Sequence, residues 1–455
     1  MYIPSPPYLN PGDNSWQLTA GTLVGLMSLP GLAVLYGGVV KRKWAVSSAV
    51  MCFYAFAAVL VVWVLAGYSV GFGHPWLGSL VGLPRPVLSV LGETARASIP
   101  LLKGLMPKLD FPQASLIYFQ FVFAAITPII LAGALFGRIN FKAWMLFVPL
   151  WSLFVYSVNA FLLWGGGWLA QMGVVDYSGG YVIHVAAGIS GFVGAAVIGP
   201  RTLKDQQDFK PNNMLLAAVG AGILWLGWNG FNGGDPYFAN ADAAAAVLNT
   251  NLATAIAMLT WFFLDISLNR KLSFLGAING LICGLVAITP AAGYVDGYGA
   301  IIVGLFGAAI PWLTMNKLSG RWPFRKVDDT LGVIHTHFTA GAVGGILVGL
   351  IANPAMIVYV GVNGANASVG GLFSGNPHQL LVQVIGLVVI TAYDGGMTFL
   401  ILKAIGLVVP LRMTELELEH GDRVLFDEEV FELHHPIPTP EPILTPELFP
   451  APTRS

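Results

Sequence analysis

Two histidines stand in runs of otherwise apolar and small residues: His184 in "YVIHVAAGIS" and His337 in "VIHTHFTAGAVGG". Glycines follow His184 at plus four and plus seven (Gly188, Gly191), and His337 at the same offsets (Gly341, Gly344). An imidazole away from water prefers to be neutral, and a neutral ring both donates and accepts a hydrogen bond. A lone histidine of this kind reads as a hydrogen bond to a neighbouring helix. A matched pair predicts two rings meeting in one lumen, one donating a ring N–H to the other. His335 is different. It lies two residues from His337, roughly 200° round a helix, and is expected to pack between helices.

What must position such a pair is set by composition. Of 455 residues, 56% are hydrophobic and 10% charged, against about 25% charged in a soluble domain. The chain is read as an all-α integral membrane protein with a lipid bilayer as its solvent. A net charge of −1 gives no reason to expect nucleic acid. Cys52 and Cys283 lie in apolar runs and are read as core residues, with neither a disulfide framework nor a metal site. Apolar runs fall at 16–40, 44–72, 113–136, 142–168, 180–199, 213–231, 241–265, 273–291, 298–316, 331–352 and 380–408, which predicts about 11 transmembrane helices. Lys and Arg gather in the loops after odd-numbered spans, from Lys41, Arg42 and Lys43 to Arg325 and Lys326. Those loops are therefore placed in the cytoplasm, the N-terminus outside and the C-terminus inside. "MYIPSPPYLNPGDNS" has no basic residue before the first apolar run, so no cleaved signal peptide is expected.

Eleven spans divide as five, five and one. "AITP" occurs at Ala125–Pro128 and again at Ala287–Pro290, in the third and eighth spans, and the histidine motifs fall in the fifth and tenth. Both pairs keep an offset of five spans. Two five-span units in series must be inverted, so the fold expected is a 5+5 inverted repeat plus a final helix, with its site at the interface of the halves.

The segment "DYSGGYVIHVAAGISGFVGAAVIGPR" (Asp176–Arg201) resembles the signature of the ammonium transporter, methylammonium permease and Rhesus protein family. "LWGGG" (Leu163–Gly167), "GWNGFNGG" (Gly227–Gly234) and "AITPAAG" (Ala287–Gly293) are similar to its motifs and occur in family order. "VDDTLGVIHTH" (Val327–His337) looks more like the plant second-type branch. The resemblance implies ammonium or ammonia transport, with methylammonium as a further substrate. It implies a homotrimer with one pore per subunit in the cell membrane. Recruitment would fall to Trp164, Phe123 and Asp235, the gate to Phe123 and Phe231, and the pore lining to His184, His337 and Trp228. Asp176 would shape the vestibule, or simply cap the fifth span. Aromatic faces attract a cation by about 0.5–2 kcal/mol each, enough to recruit but not to carry it through. Ammonium can shed a proton and cross as ammonia, an exit closed to potassium. A Rhesus-like neutral gas channel and an ammonium sensor are the alternatives. No nucleophile–base set or cofactor motif points to an enzyme.

Two departures stand out. Many relatives carry serine where this chain has Asp235, which is either a vestibule carboxylate or a turn residue before Pro236. Many bacterial relatives carry aspartate where this chain has Gly332. Residues 1–14 are read as an extracellular segment, 15–409 as the transmembrane domain and 410–455 as a cytoplasmic tail. The tail's proline-rich end is expected to be disordered, and the tail to offer a site for a regulatory protein.

Overall fold

The computed structural model of the chain describes residues 4–100, 108–360 and 366–428. Among these, ten helices are long and apolar enough to cross a membrane. The first five are Pro11–Val39, Arg42–Phe72, Gln113–Ala132, Phe141–Met172 and Gly180–Ile198. Then come Met214–Gly233, Ala241–Asn269, Gly297–Leu318, Ile334–Ile351 and Pro377–Ile405. An eleventh, Phe274–Ile288, is shorter. It takes the place of the expected eighth span but stops before Pro290, and residues 289–294 continue as turns. Eleven helices in the expected order are thus present. The third and fifth bury 89% and 72% of their apolar windows, against 28% for the second and seventh. The former line the centre and the latter face outward.

The repeat is visible in how the halves meet. The fifth and tenth spans both open with a wide π-helical turn, Gly180–Val185 and Ile334–Thr339, and each turn contains its histidine. Such turns rotate the helix and re-aim the side chain they carry. Four residues on, the two spans touch backbone to backbone. A Cβ at Gly188 would lie 2.5 Å from the Phe338 nitrogen, and one at Gly341 2.7 Å from the Gly180 carbonyl oxygen. The plus-four glycines are therefore contact points, as small residues are in membrane helix pairs. The first and sixth spans approach as closely: a Cβ at Gly220 would stand 2.4 Å from the Leu35 nitrogen.

The AITP copies share a local device. The Thr127 hydroxyl donates to the Phe123 carbonyl and the Thr289 hydroxyl to that of Leu285, each at 2.7 Å. Both occupy a backbone acceptor beside a proline that cannot donate. Cys52 and Cys283 are buried as free thiols.

The start of the tail docks on the loops after the odd-numbered spans. Its helix Glu415–His420 has a Thr414/Glu417 capping box. Asp422 accepts from the Val46 and Ser47 N–H groups, and the Lys43 ammonium donates to the Leu418 carbonyl. The proline-rich end expected to be disordered lies outside the described residues.

If the plus-four glycines set the helix crossing, Gly188→Ala should cost about 1–3 kcal/mol through overpacking. Gly222, with nothing within 4 Å of an added Cβ, should tolerate alanine. Thermal unfolding in detergent should separate the two variants by several degrees. Equal midpoints would mean that the crossing relaxes freely.

Candidate functional site

The histidine-bearing turns start where an aspartate ties down the chain. Asp176 accepts from the N–H groups of Gly179, Gly180, Tyr181 and Val182 at 2.6–3.2 Å. Gly179 sits at φ 111°, in the left-handed region that glycine adopts without strain. The second half repeats this arrangement. Asp329 accepts from the Ile334 N–H at 2.7 Å, and Gly332 lies at φ 72°. Aspartate, glycine three residues on and histidine eight residues on recur in both halves: Asp176, Gly179, His184 and Asp329, Gly332, His337. Gly332 is thus the repeat twin of Gly179. Asp329 was not singled out from the sequence, although the offset of eight was there to be read. Burial pushes the Asp176 carboxyl up to about 6 and its N–H donors pull it down; burial likewise raises Asp329.

The two turns aim their histidines at each other. His337 Nδ1 stands 3.2 Å from His184 Nδ1, both rings buried. Such a bond needs one Nδ1 to carry a proton and the other to be bare, so the pair cannot bear two charges. The Nε2 of His184 has no hydrogen-bond partner. His184 also lies in a stack of rings. Its centroid is 5.4 Å from Trp228 and 6.0 Å from Phe231, with interplanar angles of 21° and 20°. Phe231 meets Phe123 with ring centroids 4.4 Å apart and planes tilted by 43°. Trp228 is held by its Nε1–H, which donates to the Thr289 hydroxyl at 2.9 Å. The AITP threonine therefore fixes a ring of the stack, a role the sequence reading did not assign.

Above the stack, the loop at 176–178 fixes several groups. The Trp164 Nε1–H donates to the Asp176 carbonyl at 2.7 Å, and the Ser178 hydroxyl to the Phe231 carbonyl at 2.9 Å. Asp235 is 3% exposed, beside the hydroxyls of Ser178 and Tyr237. Burial pushes its carboxyl well above the usual range, the two hydroxyls work against this, and nearby Asp176 adds to it. Below the stack, a cavity of about 770 Å³ leads from His337 to Arg325 and Lys326. His335 lines that cavity, its Nδ1 3.0 Å from the Thr314 hydroxyl and its ring against Phe324. Its bond to Thr314 is interhelical, as expected, but it shares the cavity with His337; the wide π-helical turn that carries both does not keep the α-helical angle on which their separation was reckoned.

Phe123, Phe231, Trp228, His184 and His337 are thus brought into one column. Trp164 and Asp235 are tied to the loop above it, and Asp176 is the cap that holds that loop. The arrangement offers a buried file of ring faces and ring nitrogens, closed by phenylalanines at one end and open to a cavity at the other.

The Ammonium Transporter Family profile matches residues 15–430. Ammonium transporter 3 member 3 of Oryza sativa subsp. japonica is 48% identical over 94% of this chain and 91% of its own length. Ammonium transporter 2 of Arabidopsis thaliana is 49% identical over 94% and 90%. The crystal structure of Saccharomyces cerevisiae Mep2 superposes with a TM-score of 0.78 at 28% identity, covering 90% of this chain and 89% of that one.

Removing the Asp176 cap should be costly. Asp176→Ala strands four N–H groups in a buried loop, at about 1–3 kcal/mol for each one left unsatisfied. Its unfolding midpoint should fall well below that of Asp208→Ala, which removes a carboxylate 60% exposed. Matching midpoints would show that the cap does not hold the loop.

Proposed function

The chain belongs to the ammonium transporter family and transports ammonium across a membrane, and from that premise we propose how it does so. Ammonium is recruited at an outer vestibule by the faces of Trp164 and Phe123 and by the Asp235 carboxyl. It loses a proton there, and ammonia passes the Phe123–Phe231 gate into the lumen of His184, His337 and Trp228. The observation that supports this most is the Nδ1–Nδ1 contact of 3.2 Å at the foot of a buried ring stack. A cation in a medium of low dielectric loses tens of kcal/mol of hydration by a Born estimate. Apolar rings do not offset that. Neutral ammonia, with three N–H groups and one lone pair, is matched to imidazole nitrogens that donate and accept.

The remaining assignments follow the family and the charge pattern. The chain is a homotrimer with an independent pore in each subunit. It lies in the cell membrane with its N-terminus outside and its tail inside. Residues 15–409 form the transporting unit. The docked start of the tail offers a regulatory protein a surface continuous with Lys43 and the second span.

The mechanism is tested in proteoliposomes by ammonium flux with potassium as competitor. Ammonium should cross while potassium neither carries current nor slows the flux. A potassium current of similar size would overturn the reading.

Asp235 gives a further test through its pH dependence. Its carboxyl is raised by burial, so its ionised share grows as pH rises. The ionised form attracts ammonium through charge-assisted hydrogen bonds about twice as strong as neutral ones. Between pH 5 and pH 8 the half-saturating ammonium concentration should therefore fall as pH rises. Asp235→Asn and Asp235→Ser should flatten that dependence and raise half-saturation several-fold at the upper end. Variants that follow the parent curve would make Asp235 a turn residue only.

A further inference from the structure

One acidic group deep in the membrane has no part in the histidine pore. Asp394 lies in the last span and is fully buried. Both its carboxyl oxygens stand 2.9 Å from one donor, Asn159 Nδ2 in the fourth span. Asn159 Oδ1 is buried without a hydrogen-bond partner. No cation forms an ion pair with Asp394 among the described residues. A bare carboxylate with one amide donor and no counter-ion is costly in hydrocarbon. A protonated carboxyl facing a carboxamide closes a ring of two hydrogen bonds, acid O–H to amide carbonyl and amide N–H to acid carbonyl, and so engages Asn159 Oδ1 as well.

The pair does not stand alone. Ser152, Tyr156 and Asn159, spaced plus four and plus three, share one face of the fourth span. All three are fully buried. The Ser152 hydroxyl, the Tyr156 hydroxyl and Asn159 Oδ1 each lack a hydrogen-bond partner. Three unpaired polar atoms on one helix face inside a membrane protein are not explained by packing. Above them, two turns along the same span, Trp164 is tied to the Asp176 carbonyl at the vestibule. Below them, the Trp151 Nε1–H is shared between the hydroxyls of Ser190 and Thr398, the latter one turn along from Asp394. The polar line therefore begins beneath the outer vestibule and runs inward between the fourth, fifth and eleventh spans, beside the ring stack.

We infer that Asp394, paired with Asn159, is an intramembrane proton-binding site, loaded from the outer vestibule through Tyr156, that carries the proton ammonium sheds while ammonia takes the histidine lumen. The inference rests on the deprotonation reading above. One N–H bond of ammonium breaks and its electron pair stays on nitrogen. The proton bonds to the Tyr156 oxygen as the hydroxyl's own proton moves on, and the Asp394 carboxylate accepts it. Thr398 and Ser190 continue the line inward. Ammonia and proton then cross by separate routes, and the net transfer is one ammonium ion.

The test compares charge and ammonia movement in the same proteoliposomes, by currents on a solid-supported membrane and by stopped-flow ammonia flux. Asp394→Asn keeps the shape of the pair and removes the acid proton. It should retain ammonia flux, which also shows that it folds. The charge moved per ammonia should drop at least about a hundredfold, the low end of the cost of losing a positioned proton-transfer group. Tyr156→Phe should lower the same ratio. An unchanged ratio in Asp394→Asn overturns the proposal, and so does parent protein that moves ammonia without current. If Asp394→Asn loses flux and current together, Tyr156→Phe decides: a lowered ratio supports the route and an unchanged one removes it. Potassium current in the parent would instead sink the deprotonation reading itself.

Discussion

The cost of dehydrating a cation governs this molecule. Between the Phe123–Phe231 gate and the inner cavity, the passage is lined by ring faces and two imidazoles. Ring faces do not replace the water shell of an ion, and a Born estimate puts the loss at tens of kcal/mol. A potassium ion would have to meet that cost in full. On the proposed mechanism ammonium escapes it by leaving a proton behind. Selectivity would then follow from acid–base chemistry and need no fine adjustment of pore width.

The rest of the fold serves to keep the two imidazoles paired. Two aspartate caps start the histidine turns, and two left-handed glycines, Gly179 and Gly332, let the chain reverse into them. The glycines four residues after each histidine bring the fifth and tenth spans into backbone contact. The AITP threonine of the second half holds Trp228 against His184. Each of these devices is local and small. Together they fix two ring nitrogens 3.2 Å apart across a boundary between halves separated by 153 residues of sequence. An inverted repeat makes this economical, since one motif used twice supplies both walls.

Much of this was legible in the sequence because it is local or periodic. The spans follow from runs of apolar residues, and all eleven appear within a few residues of the expected bounds. The eighth is the shortest and ends at Ile288, before Pro290, whereas Pro128 of the first AITP copy lies inside its helix. The histidine pair and the contact of Phe123 with Phe231 were legible through repetition and motif. Other features were hidden because they depend on which helix faces meet. The Asp422 carboxylate caps the second span from about 375 residues away. The Asn159–Asp394 pair joins spans four and eleven, and neither residue interrupts its apolar run enough to draw notice. Asp329 was overlooked for another reason: attention fell on Gly332, and the offset of eight shared with Asp176 and His184 went uncompared.

The central claim is that ions stop at the vestibule and only a neutral species enters the lumen. Rubidium, a heavier stand-in for potassium, makes this directly visible by anomalous diffraction from soaked crystals. The account predicts rubidium signal, if any, above the Phe123–Phe231 gate, near Trp164 and Asp235. Rubidium between that gate and His337, beside the paired imidazoles, would contradict it.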